Sequence, residues 1–370
     1  MKRILIVNNN MQIGGIQKSL INLLNGVNKD YNITLLLFSD YGVLFKDIPK
    51  NVKVIFADKK LKVLGTPWSE VKKNPLLAYY KFTSKVLCKM RGKDAALSYL
   101  FKQQKVIKNY DTVISYSHCT AEGALAVCTP EFVLKCTKSD NKICFIHCDY
   151  IHSDTFSEHN NQIYKKFSKI ACCSESVRNN FLQKIPELQE RTFTVRNFYD
   201  LSIIDKAKNK TYFYDEKYIN LISVARLSEE KGILRAIKAL YDSKRKDIRY
   251  YIVGTGPQKK EIQEYISSHN MSKNVILLGE QKNPYRFMVN ADYLLVPSYH
   301  EAAPMVFDEA NILNVPVISS NTTSANEMLT QFDIISDNID EQLFISLIKE
   351  HSIEFSPDLS KFRQSFKSII

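Results

Sequence analysis

Two cations in the second half of the chain have the type and spacing to bind a diphosphate. Arg226 and Lys231 lie five residues apart, directly after an apolar run at 221–224. Lys231 is expected to open a helix, and the apolar spacing predicts its buried face as Ile233, Ile237, Leu240 and Tyr241. Arginine binds phosphate oxygens as a two-pronged fork and lysine as a point charge, so together they could clamp a diphosphate. The alternative is a surface ion pair with Glu229 or Glu230, and the two cations alone favour that alternative.

Two glutamates, Glu301 and Glu309, follow eight residues apart. Glu301 follows another apolar run, and Pro304 suits the first turn of a helix that carries Glu309. The unpaired amides of that turn, at Met305 and Val306, provide an anion site beside the first carboxylate. An ionised carboxylate can accept two hydrogen bonds from a diol. Carboxylates beside a phosphate site therefore predict a ligand with both groups, a nucleotide sugar.

Paired glycines mark two turns where a backbone could approach such a ligand. Gly14 and Gly15 stand between an apolar run and a helical pattern, and Gly254 and Gly256 follow a second apolar run. At Gly14-Gly15, close backbone approach and a following helix N-terminus suit phosphate. The turn at Gly254 and Gly256 also allows close approach but is uninformative alone, because Gly-Pro dipeptides mark loops generally. The Gly14-Gly15 turn has neither the G-x-G-x-x-G nor the G-x-x-x-x-G-K-[ST] spacing, so neither a dinucleotide nor a P-loop triphosphate is predicted. A tight turn without a ligand remains at least as good a reading of Gly14-Gly15 alone.

Short apolar runs alternate with helix-period segments along both halves of the chain. The predicted strands are 3–7, 33–38, 52–56, 112–115, 142–146 and 169–172, then 221–224, 250–253, 275–278, 293–296 and 315–318. Strand, helix, strand repeats predict parallel sheets covered by helices. The fold class is therefore α/β, with two doubly wound Rossmann-like domains joined near 197–218. Ligands of such sheets bind at the carboxyl ends of the strands, here expected in the cleft that the two sheets face.

Length and composition agree with two soluble domains. The chain has 370 residues, 45% hydrophobic and 24% charged, which gives enough apolar material for two cores. No uncharged run reaches the roughly 18 to 20 residues of a membrane-spanning helix. The start MKRILIV predicts a first strand rather than a secretory signal, so a cytoplasmic protein is expected.

Eight cysteines raise the question of a metal site. None has C-x-x-C spacing and most lie in apolar segments, which suits buried thiols in a reducing compartment. Cys144, His147 and Cys148 are close in sequence, but strand alternation points the histidine away from both cysteines. No metal site is predicted.

The net charge of +12 is concentrated in one segment, residues 59–108. This segment carries thirteen Lys or Arg residues against two acids, an excess of eleven positive charges. Its apolar and aromatic residues are typical of a helix on an anionic lipid surface: Leu76, Leu77, Tyr79, Tyr80, Phe82, Val86, Leu87, Leu97, Tyr99, Leu100 and Phe101. Nucleic acid would be attracted by the same charge, but no nucleic-acid-binding signature supports it. A solvated helical face is the remaining alternative.

An ordered set of motifs resembles a known family, the retaining glycosyltransferases of family four, which have the GT-B fold. The motifs are GGIQKSL, FIHCD, VRNFYD, SVARLSEEKG, VGTGP, the glutamate pair in HEAAPMVFDEA, and PVISS. Each is weak alone, and together they span nearly the whole chain. The segment HEAAPMVFDEA is most similar to the corresponding segment of family members that build bacterial surface polysaccharides and lipid-linked oligosaccharides. The resemblance implies retaining transfer of a sugar from a nucleotide diphosphate donor, expected to be UDP-linked, to a saccharide or lipid-linked acceptor.

The resemblance implies roles for residues of the second half. Arg226 and Lys231 match the diphosphate clamp, which would neutralise charge on the leaving group. Glu301 matches the glutamate near the hydroxyls of the donor sugar, and Glu309 matches the one on the nucleotide ribose. Gly254, Gly256 and the amides at 305 and 306 complete the expected donor contacts.

It also implies roles for residues of the first half, where the acceptor would bind. Gly15, with Gly14, matches the turn whose amide faces the donor phosphates. His147 matches a histidine near the reacting sugar, against the alternative of a buried core histidine. Asn197 matches a junction asparagine with a structural role.

The chain departs from the family pattern at two places. Ala302 stands where members usually have glycine, and residues 321–325 replace a turn that usually contains glycine. Glu327 matches the glutamate after that turn with shifted spacing. The donor sugar is therefore not fixed by the resemblance.

The expected domains are an acceptor domain at 1–197, a donor domain at 198–351 and a last helix at 352–370 returning to the first domain. No Asp-x-Asp sequence occurs in the chain, so metal-independent catalysis without a cofactor is predicted. The basic segment 59–108 would place the enzyme at the inner face of the plasma membrane. The alternative function is a nucleotide-sugar binding module or a sugar epimerase on the same fold.

Overall fold

The computed structural model describes residues 1–347 and 359–370. The chain divides into two compact units. The first comprises Met1–Phe198 with Leu359–Ile370, and the second comprises Tyr199–Asp358.

The first unit contains a sheet of seven strands in the order β3-β2-β1-β4-β5-β6-β7, all parallel. After its first residue β1 is buried throughout, as expected for a strand covered by helices on both faces. The strands are β1 Arg3–Asn8, β2 Asn32–Leu37, β3 Lys53–Phe56, β4 Thr112–Ser115, β5 Asn141–Ile146, β6 Lys169–Cys172 and β7 Thr192–Thr194. The helices between them are α1 Gly15–Val27, α2 Lys62–Gly65, α3 Trp68–Val71, α4 Pro75–Arg91, α5 Lys93–Phe101, α6 Thr129–Cys136, α7 Glu158–Tyr164 and α8 Glu175–Lys184.

The second unit contains a sheet of six parallel strands in the order β10-β9-β8-β11-β12-β13. The strands are β8 Ile219–Val224, β9 Ile248–Val253, β10 Val275–Gly279, β11 Tyr293–Val296, β12 Val317–Ser320 and β13 Ile334–Ser336. The helices are α9 Ile203–Lys208, α10 Ile233–Asp242, α11 Lys259–Ser268, α12 Tyr285–Met288, α13 Met305–Ile312, α14 Thr323–Met328 and α15 Glu341–Ser346. Separate apolar clusters pack on the two faces of this sheet. The predicted α/β fold with two Rossmann-like parallel sheets is confirmed.

Two edge strands, β7 and β13, were not predicted from the sequence. Each has only three residues and is half-buried for most of its length, so it lacks the continuous apolar run that marks the central strands. The strand expected at 315–318 begins instead at Val317, directly after Pro316. Proline has no amide to donate to a neighbouring strand, which explains the later start.

The helix expected to open at Lys231 begins two residues later. Residues Glu229–Lys231 form a 3-10 turn, Gly232 takes the left-handed conformation, and α10 starts at Ile233. The predicted buried face is correct at Ile233, Ile237 and Leu240. It is wrong at Tyr241, which is exposed at the last turn of the helix.

The basic segment 59–108 is not one continuous surface. In α5 the side chains of Leu97, Leu100 and Phe101 are buried in the core of the first unit, so the sequence-based assignment of these residues to a lipid-facing surface is wrong. Phe101 packs edge-on against the ring of Phe132 on α6. Exposed apolar side chains of the segment concentrate on α4.

The last described helix, α16 Leu359–Ile369, belongs to the first unit. Its Phe366 is fully buried and makes edge-to-face contacts with the rings of Tyr31 and Phe198. Residues 352–358 of the expected return helix lie outside the described residues. Among those that are described, no helix combines the length and apolar composition needed to cross a bilayer.

Candidate active site

An ion pair joins the two most specific predicted site residues of the second unit. Lys231 Nζ lies 2.6 Å from Glu301 Oε1, and the Ser298 hydroxyl donates to the same oxygen at 2.6 Å. Lys231 ends the turn after β8, and Glu301 lies in the loop after β11, which pairs with β8. Their side chains are 26% and 10% exposed, so the pair is open to solvent mainly on the lysine side. A cation and a carboxylate are thus held together at the carboxyl edge of the sheet.

Arg235 fixes the loop that carries Glu301. From α10 its guanidinium donates to the carbonyls of Pro297 and Ser298, at 2.6 to 3.1 Å, and to the hydroxyl of Ser320 at 2.5 Å. The same group lies over the ring of Tyr299, 4.1 Å from its centroid. Four contacts from one side chain on a regular helix restrict the loop to one conformation.

The loops after β8, β9 and β11 approach so closely that three of their glycines are required by the chain itself. A Cβ on Gly232, which has φ +63°, would lie 1.9 Å from the Pro297 carbonyl oxygen. A Cβ on Gly254, with φ +149°, would lie 1.8 Å from the Ala225 carbonyl oxygen. Gly256 meets the carbonyl of Leu227 in the same way, at 2.3 Å. Packing alone therefore accounts for Gly254 and Gly256, and their proposed contact with a ligand stays a prediction.

Arg226 is exposed at the end of β8, and neither Glu229 nor Glu230 forms an ion pair with it within residues 1–347 and 359–370. Glu230 accepts instead from the Ser228 hydroxyl at 2.6 Å. Burial raises the pKa of Glu230, but this hydrogen bond and the nearby cations outweigh it and lower the pKa. Among the described residues, Arg226 and Lys231 therefore do not form the surface ion pair with Glu229 or Glu230 that the sequence allowed.

Glu309 lies apart from the ion pair on α13 and is buried. The hydroxyl of Tyr285 donates to Glu309 Oε1 at 3.1 Å. Burial, and then the charge of Glu309, raise the pKa of Tyr285, so the phenol stays protonated and keeps donating. Met305 and Val306 form the first turn of α13, which Pro304 precedes.

The glycine pair of the first unit is not required by packing. Gly14 precedes α1 in an extended conformation that any residue can adopt, and Gly15 is the first residue of the helix. A Cβ on Gly15 would have no described heavy atom within 4 Å outside its chain neighbours and its own helix backbone. A Cβ on Gly14 would meet only the flexible end of Gln17.

His147 follows β5, two strands away from β1 in the first sheet. Its ring stacks on Phe145, with centroids 5.7 Å apart, and lies 5.0 Å from the ring of Tyr116. Burial and the neighbouring His118 lower the pKa of His147 to about 3, although a bond to the backbone of Tyr116 raises it. The imidazole is therefore neutral at physiological pH.

The Nε2 atom of His147 is buried and has no hydrogen-bond partner in the part of the chain that the structure describes. Buried polar atoms are nearly always paired in folded proteins, so an unpaired ring nitrogen at a strand end marks a place where a polar group of a ligand can bind.

Two neighbours of His147 were not singled out as a pair by the sequence. His118 follows β4 and accepts the His147 amide through Nδ1 at 3.3 Å. Burial raises the pKa of Cys148, but His118 and the hydroxyls of Thr155 and Ser153 outweigh it and lower the pKa. No spacing signal connects His118 with Cys148, because they lie thirty residues apart and meet only through pairing of β4 with β5.

Asn197 is buried and accepts from the Ser19 hydroxyl of α1 at 2.5 Å. Ser19 also bonds the phenol of Tyr116, so Asn197 belongs to a polar network inside the first unit.

In the second unit the turn that lacks the family glycine is a helix cap, since the Thr322 side chain accepts from the Ala325 amide at 3.3 Å. Glu327 lies on the helix that follows, and Ala302 lies half-buried beside Glu301.

The eight cysteines form no disulfide. Among residues 1–347 and 359–370, no group of three or more His, Cys, Asp or Glu side chains is placed to hold a metal ion. Cys144 points into the core, while His147 and Cys148 lie beyond the end of β5.

Comparison with known proteins agrees with this architecture. Residues 204–351 match the family model described as glycosyl transferases group 1. An uncharacterized glycosyltransferase of Methanocaldococcus jannaschii is 28% identical over 294 residues, which covers 74% of this chain and 68% of the relative. The putative glycosyltransferase EpsF of Bacillus subtilis is 30% identical over 162 residues, 41% of each chain.

Two further similarities concern a named enzyme and the fold. The N-acetylgalactosamine-N,N'-diacetylbacillosaminyl-diphospho-undecaprenol 4-alpha-N-acetylgalactosaminyltransferase of Campylobacter jejuni is 25% identical over 162 residues, 44% of each chain. The crystal structure of HepE from Anabaena in complex with UDP and glucose aligns with TM-score 0.64 at 16% identity, covering 93% of this chain and 88% of that one. The glycosyltransferase of Rickettsia africae aligns with TM-score 0.61 at 14% identity, covering 99% and 88%. The chain thus spans about two thirds of the archaeal relative and less than half of the other two relatives.

Two parallel Rossmann-like sheets in one chain, together with the similarity to these solved structures, identify the fold as GT-B. The second unit carries a group 1 glycosyl transferase domain, and the chain is similar over most of its length to a glycosyltransferase. The resemblance seen in the sequence is confirmed at this level.

The sequence did not reveal Arg235, Ser298 and Tyr285, which hold the predicted glutamates. One signal was present for Arg235, a lone cation among the apolar residues that open α10. Ser298 and Tyr285 carry no such signal, since their partners are known only once the loops are folded.

Proposed function

We propose that the protein is a retaining glycosyltransferase that moves a sugar from a nucleotide diphosphate donor, UDP-linked, to a saccharide or lipid-linked acceptor. The product belongs to a surface polysaccharide such as a capsule or O-antigen. The observation that carries the proposal is the Lys231–Glu301 pair at 2.6 Å, beside an exposed Arg226 that forms no ion pair with any described residue.

In this proposal Lys231 and Arg226 bind the donor diphosphate. Charge grows on the diphosphate as the bond to the sugar breaks, and fixed cations stabilise that charge more in the transition state than in the ground state. Glu301 keeps Lys231 in place while one of its oxygens accepts from a hydroxyl of the donor sugar. Glu309, held by Tyr285, accepts from the ribose hydroxyls.

His147 contributes as an acceptor, not as an acid. Its neutral ring presents Nε2 at the carboxyl edge of the first sheet, where it accepts from a sugar hydroxyl near the reacting carbon. No described side chain crowds Gly15, so a substrate can approach the backbone at the first turn of α1 during transfer. The first unit would then bind the acceptor.

The ligands and activities of similar proteins support the choice of substrates. HepE was crystallised with UDP and glucose, and the Campylobacter enzyme is named for a diphospho-undecaprenol-linked acceptor. The relative WclY of Escherichia coli is described as an O-antigen biosynthesis glycosyltransferase. A lipid-linked acceptor implies that the protein works as a peripheral enzyme on the inner face of the plasma membrane, with segment 59–108 towards anionic lipid.

The test is release of free nucleoside diphosphate from a panel of UDP-, GDP- and TDP-sugars by the wild type and by Lys231→Ala. The proposal predicts release from at least one donor and strong loss in the variant. A wild type that binds a donor without turning over any of them would support the alternative of a nucleotide-sugar binding module. Interconversion of the donor sugar without transfer would identify an epimerase.

The proposed clamp does not need a divalent cation, because two protein cations face the diphosphate. Turnover should therefore survive EDTA. Loss of activity in EDTA that magnesium or manganese restores would contradict this part of the proposal.

A further inference from the structure

One face of α4 carries a row of exposed apolar side chains. Leu76, Tyr79, Phe82, Val86 and Met90 are all exposed, with Phe82 at 66% and Met90 at 74%. Their spacings of three, three, four and four residues place them on one side of the helix. This row, the α4 stripe, runs for about 20 Å at the 1.5 Å rise of a helix.

The stripe has a basic border and no acid. The sequence of α4 contains no Asp or Glu, and Lys85, Lys89 and Arg91 are exposed beside the stripe. The two acids of the surrounding segment are already paired, Glu70 with Lys73 at 2.8 Å and Asp94 with Lys135 at 2.9 Å. Trp68, half exposed, lies against Lys85, with the ammonium 6.0 Å from the ring centroid.

The opposite face of α4 is attached to the carboxyl edge of the first sheet. Ser84 is buried, Lys81 Nζ donates to the Thr66 carbonyl at 2.7 Å, and Cys88 contacts the Gly123 carbonyl at 3.3 Å. Gly65, next to Thr66, accepts from Asn10 in the loop after β1 at 2.7 Å. The stripe is therefore displayed by a fixed helix next to the loops that follow β1 and β4.

We infer that α4 docks on the anionic leaflet of a lipid bilayer, with the α4 stripe inserted into the interface and Lys85, Lys89 and Arg91 on the headgroups. An apolar arc with a cationic border is the arrangement of helices that lie in a membrane interface. The inference rests on the proposed function, because docking of α4 would bring a lipid-linked acceptor close to the loops of the first sheet. It narrows the docking element from segment 59–108 to a single helix.

A second copy of the chain fits the stripe less well than lipid does. A twofold interface brings the same patch of both subunits together. The exposed cations on the border of α4 would then face their own copies, with no acid in either helix to compensate.

The experiment uses the full chain and two kinds of vesicle, phosphatidylcholine alone and phosphatidylcholine mixed with phosphatidylglycerol. Trp68 is the only tryptophan in the sequence, so its emission reports directly on this surface. The variant Phe82→Gln/Met90→Gln removes apolar area from the stripe, and Lys85→Gln/Lys89→Gln removes charge. Phe213→Gln, at an 80% exposed position of the second unit, is the matched control.

The inference predicts that the wild type binds the mixed vesicles with a blue shift of Trp68 emission, as does Phe213→Gln. Removing Phe82 and Met90 should weaken binding by at least about tenfold, because each loses its burial in the interface. Removing the two lysines should weaken binding roughly fivefold for each charge and reduce the dependence on salt.

If the wild type and Phe82→Gln/Met90→Gln bind the mixed vesicles equally well, the inference is overturned. It is also overturned if the wild type binds neither kind of vesicle. A wild-type dimer that the same variant converts to a monomer, without vesicle binding, would show an interface between copies instead. Nucleoside diphosphate release, measured without vesicles, keeps the two proposals apart. If nucleoside diphosphate is released but the protein does not bind vesicles, only the docking of α4 is rejected. If no nucleoside diphosphate is released, the proposed function is rejected whatever the result with vesicles.

Discussion

The predicted site residues are held in different ways at the carboxyl edges of the two sheets. In the second unit Lys231 contacts Glu301, Tyr285 contacts Glu309, and Gly232 and Gly254 are pressed against carbonyls of neighbouring loops. In the first unit Gly15 has free space around it, and Nε2 of His147 has no partner in the described residues. The second unit thus builds its site from contacts within the chain. The first unit has open space at Gly15 and an unpaired ring nitrogen on His147, which a substrate can contact.

This difference separates two tasks. Contacts within the chain fix the geometry of a binding site before the ligand arrives, so binding costs little reorganisation. Groups without partners contribute only when a substrate meets them, so their effect should appear in the reaction step. The comparison predicts that changes in the second unit affect donor binding and stability, and changes in the first unit affect transfer.

The largest expected effect follows loss of the Lys231 cation. Lys231→Ala should lower kcat/KM for the donor by about 10²- to 10³-fold, because a charge aimed at the leaving group is lost. Glu301 also loses its partner. Initial rates over a range of donor concentration measure this, with the exposed Lys259→Ala as control. A variant with unchanged kcat/KM would remove Lys231 from the site.

The second largest effect is expected from a substitution at Gly232, where the loops of the second unit pack closely. Gly232→Ala should lower the free energy of unfolding by about 3 kcal/mol, since a positive φ and a contact of 1.9 Å with the Pro297 carbonyl act together. Gly279→Ala is the matched control, because Gly279 has φ +69° but nothing within 4 Å of its Cβ, and should cost about 1 kcal/mol.

Urea unfolding of the two alanine variants tests this pair. Equal destabilisation would mean that backbone conformation alone matters and that the loops of the second unit are not held by close contact. Gly15→Ala, by contrast, should leave the unfolding free energy nearly unchanged.

Protonation of His147 gives the third effect. Its pKa is about 3 in the folded chain against 6.5 ordinarily, so the unfolded state binds more protons between these values. The stability that His147 contributes is full above pH 6.5 and falls as the pH drops towards 3. From pH 7 to pH 5 the loss is about 2 kcal/mol, at 1.36 kcal/mol per pKa unit.

His147→Gln removes this titration while keeping a polar side chain. The difference in unfolding free energy between pH 7 and pH 5 should therefore be smaller in the variant than in the wild type. An identical pH dependence in both proteins would show that His147 is accessible and titrates normally.

The central strands could be predicted because both of their faces are buried, which leaves a continuous apolar run in the sequence. The positions of Lys231 and Glu301 after two strands of the second sheet could also be predicted. Their contact with each other could not, because they lie seventy residues apart and meet only through pairing of β8 with β11. Arg235 and the burial of α5 were missed for the same reason, since each depends on a partner from another loop or helix.

The smallest effect concerns the hydrogen bond from Tyr285. Tyr285→Phe keeps the ring and removes one donor to Glu309, which should cost about 1 kcal/mol. The expected result is a rise of a few-fold in the donor KM with little change in kcat. Tyr241→Phe, at an exposed phenol of the same unit, serves as control. A fall in kcat at constant KM would place Tyr285 in the reaction step rather than in donor binding.

The division of tasks between the two units is tested most directly by measuring donor Kd and transfer rate for Gly15→Leu beside Lys231→Ala. A Cβ at position 15 has no described heavy atom within 4 Å outside its chain neighbours and its own helix backbone, so leucine can enter this position without a clash at its Cβ. Gly15→Leu should keep the donor Kd within a few-fold of the wild type while transfer falls steeply, and Lys231→Ala should lose both. A Gly15→Leu variant that transfers sugar at the wild-type rate, or that loses donor binding as fully as Lys231→Ala, would contradict this division of tasks.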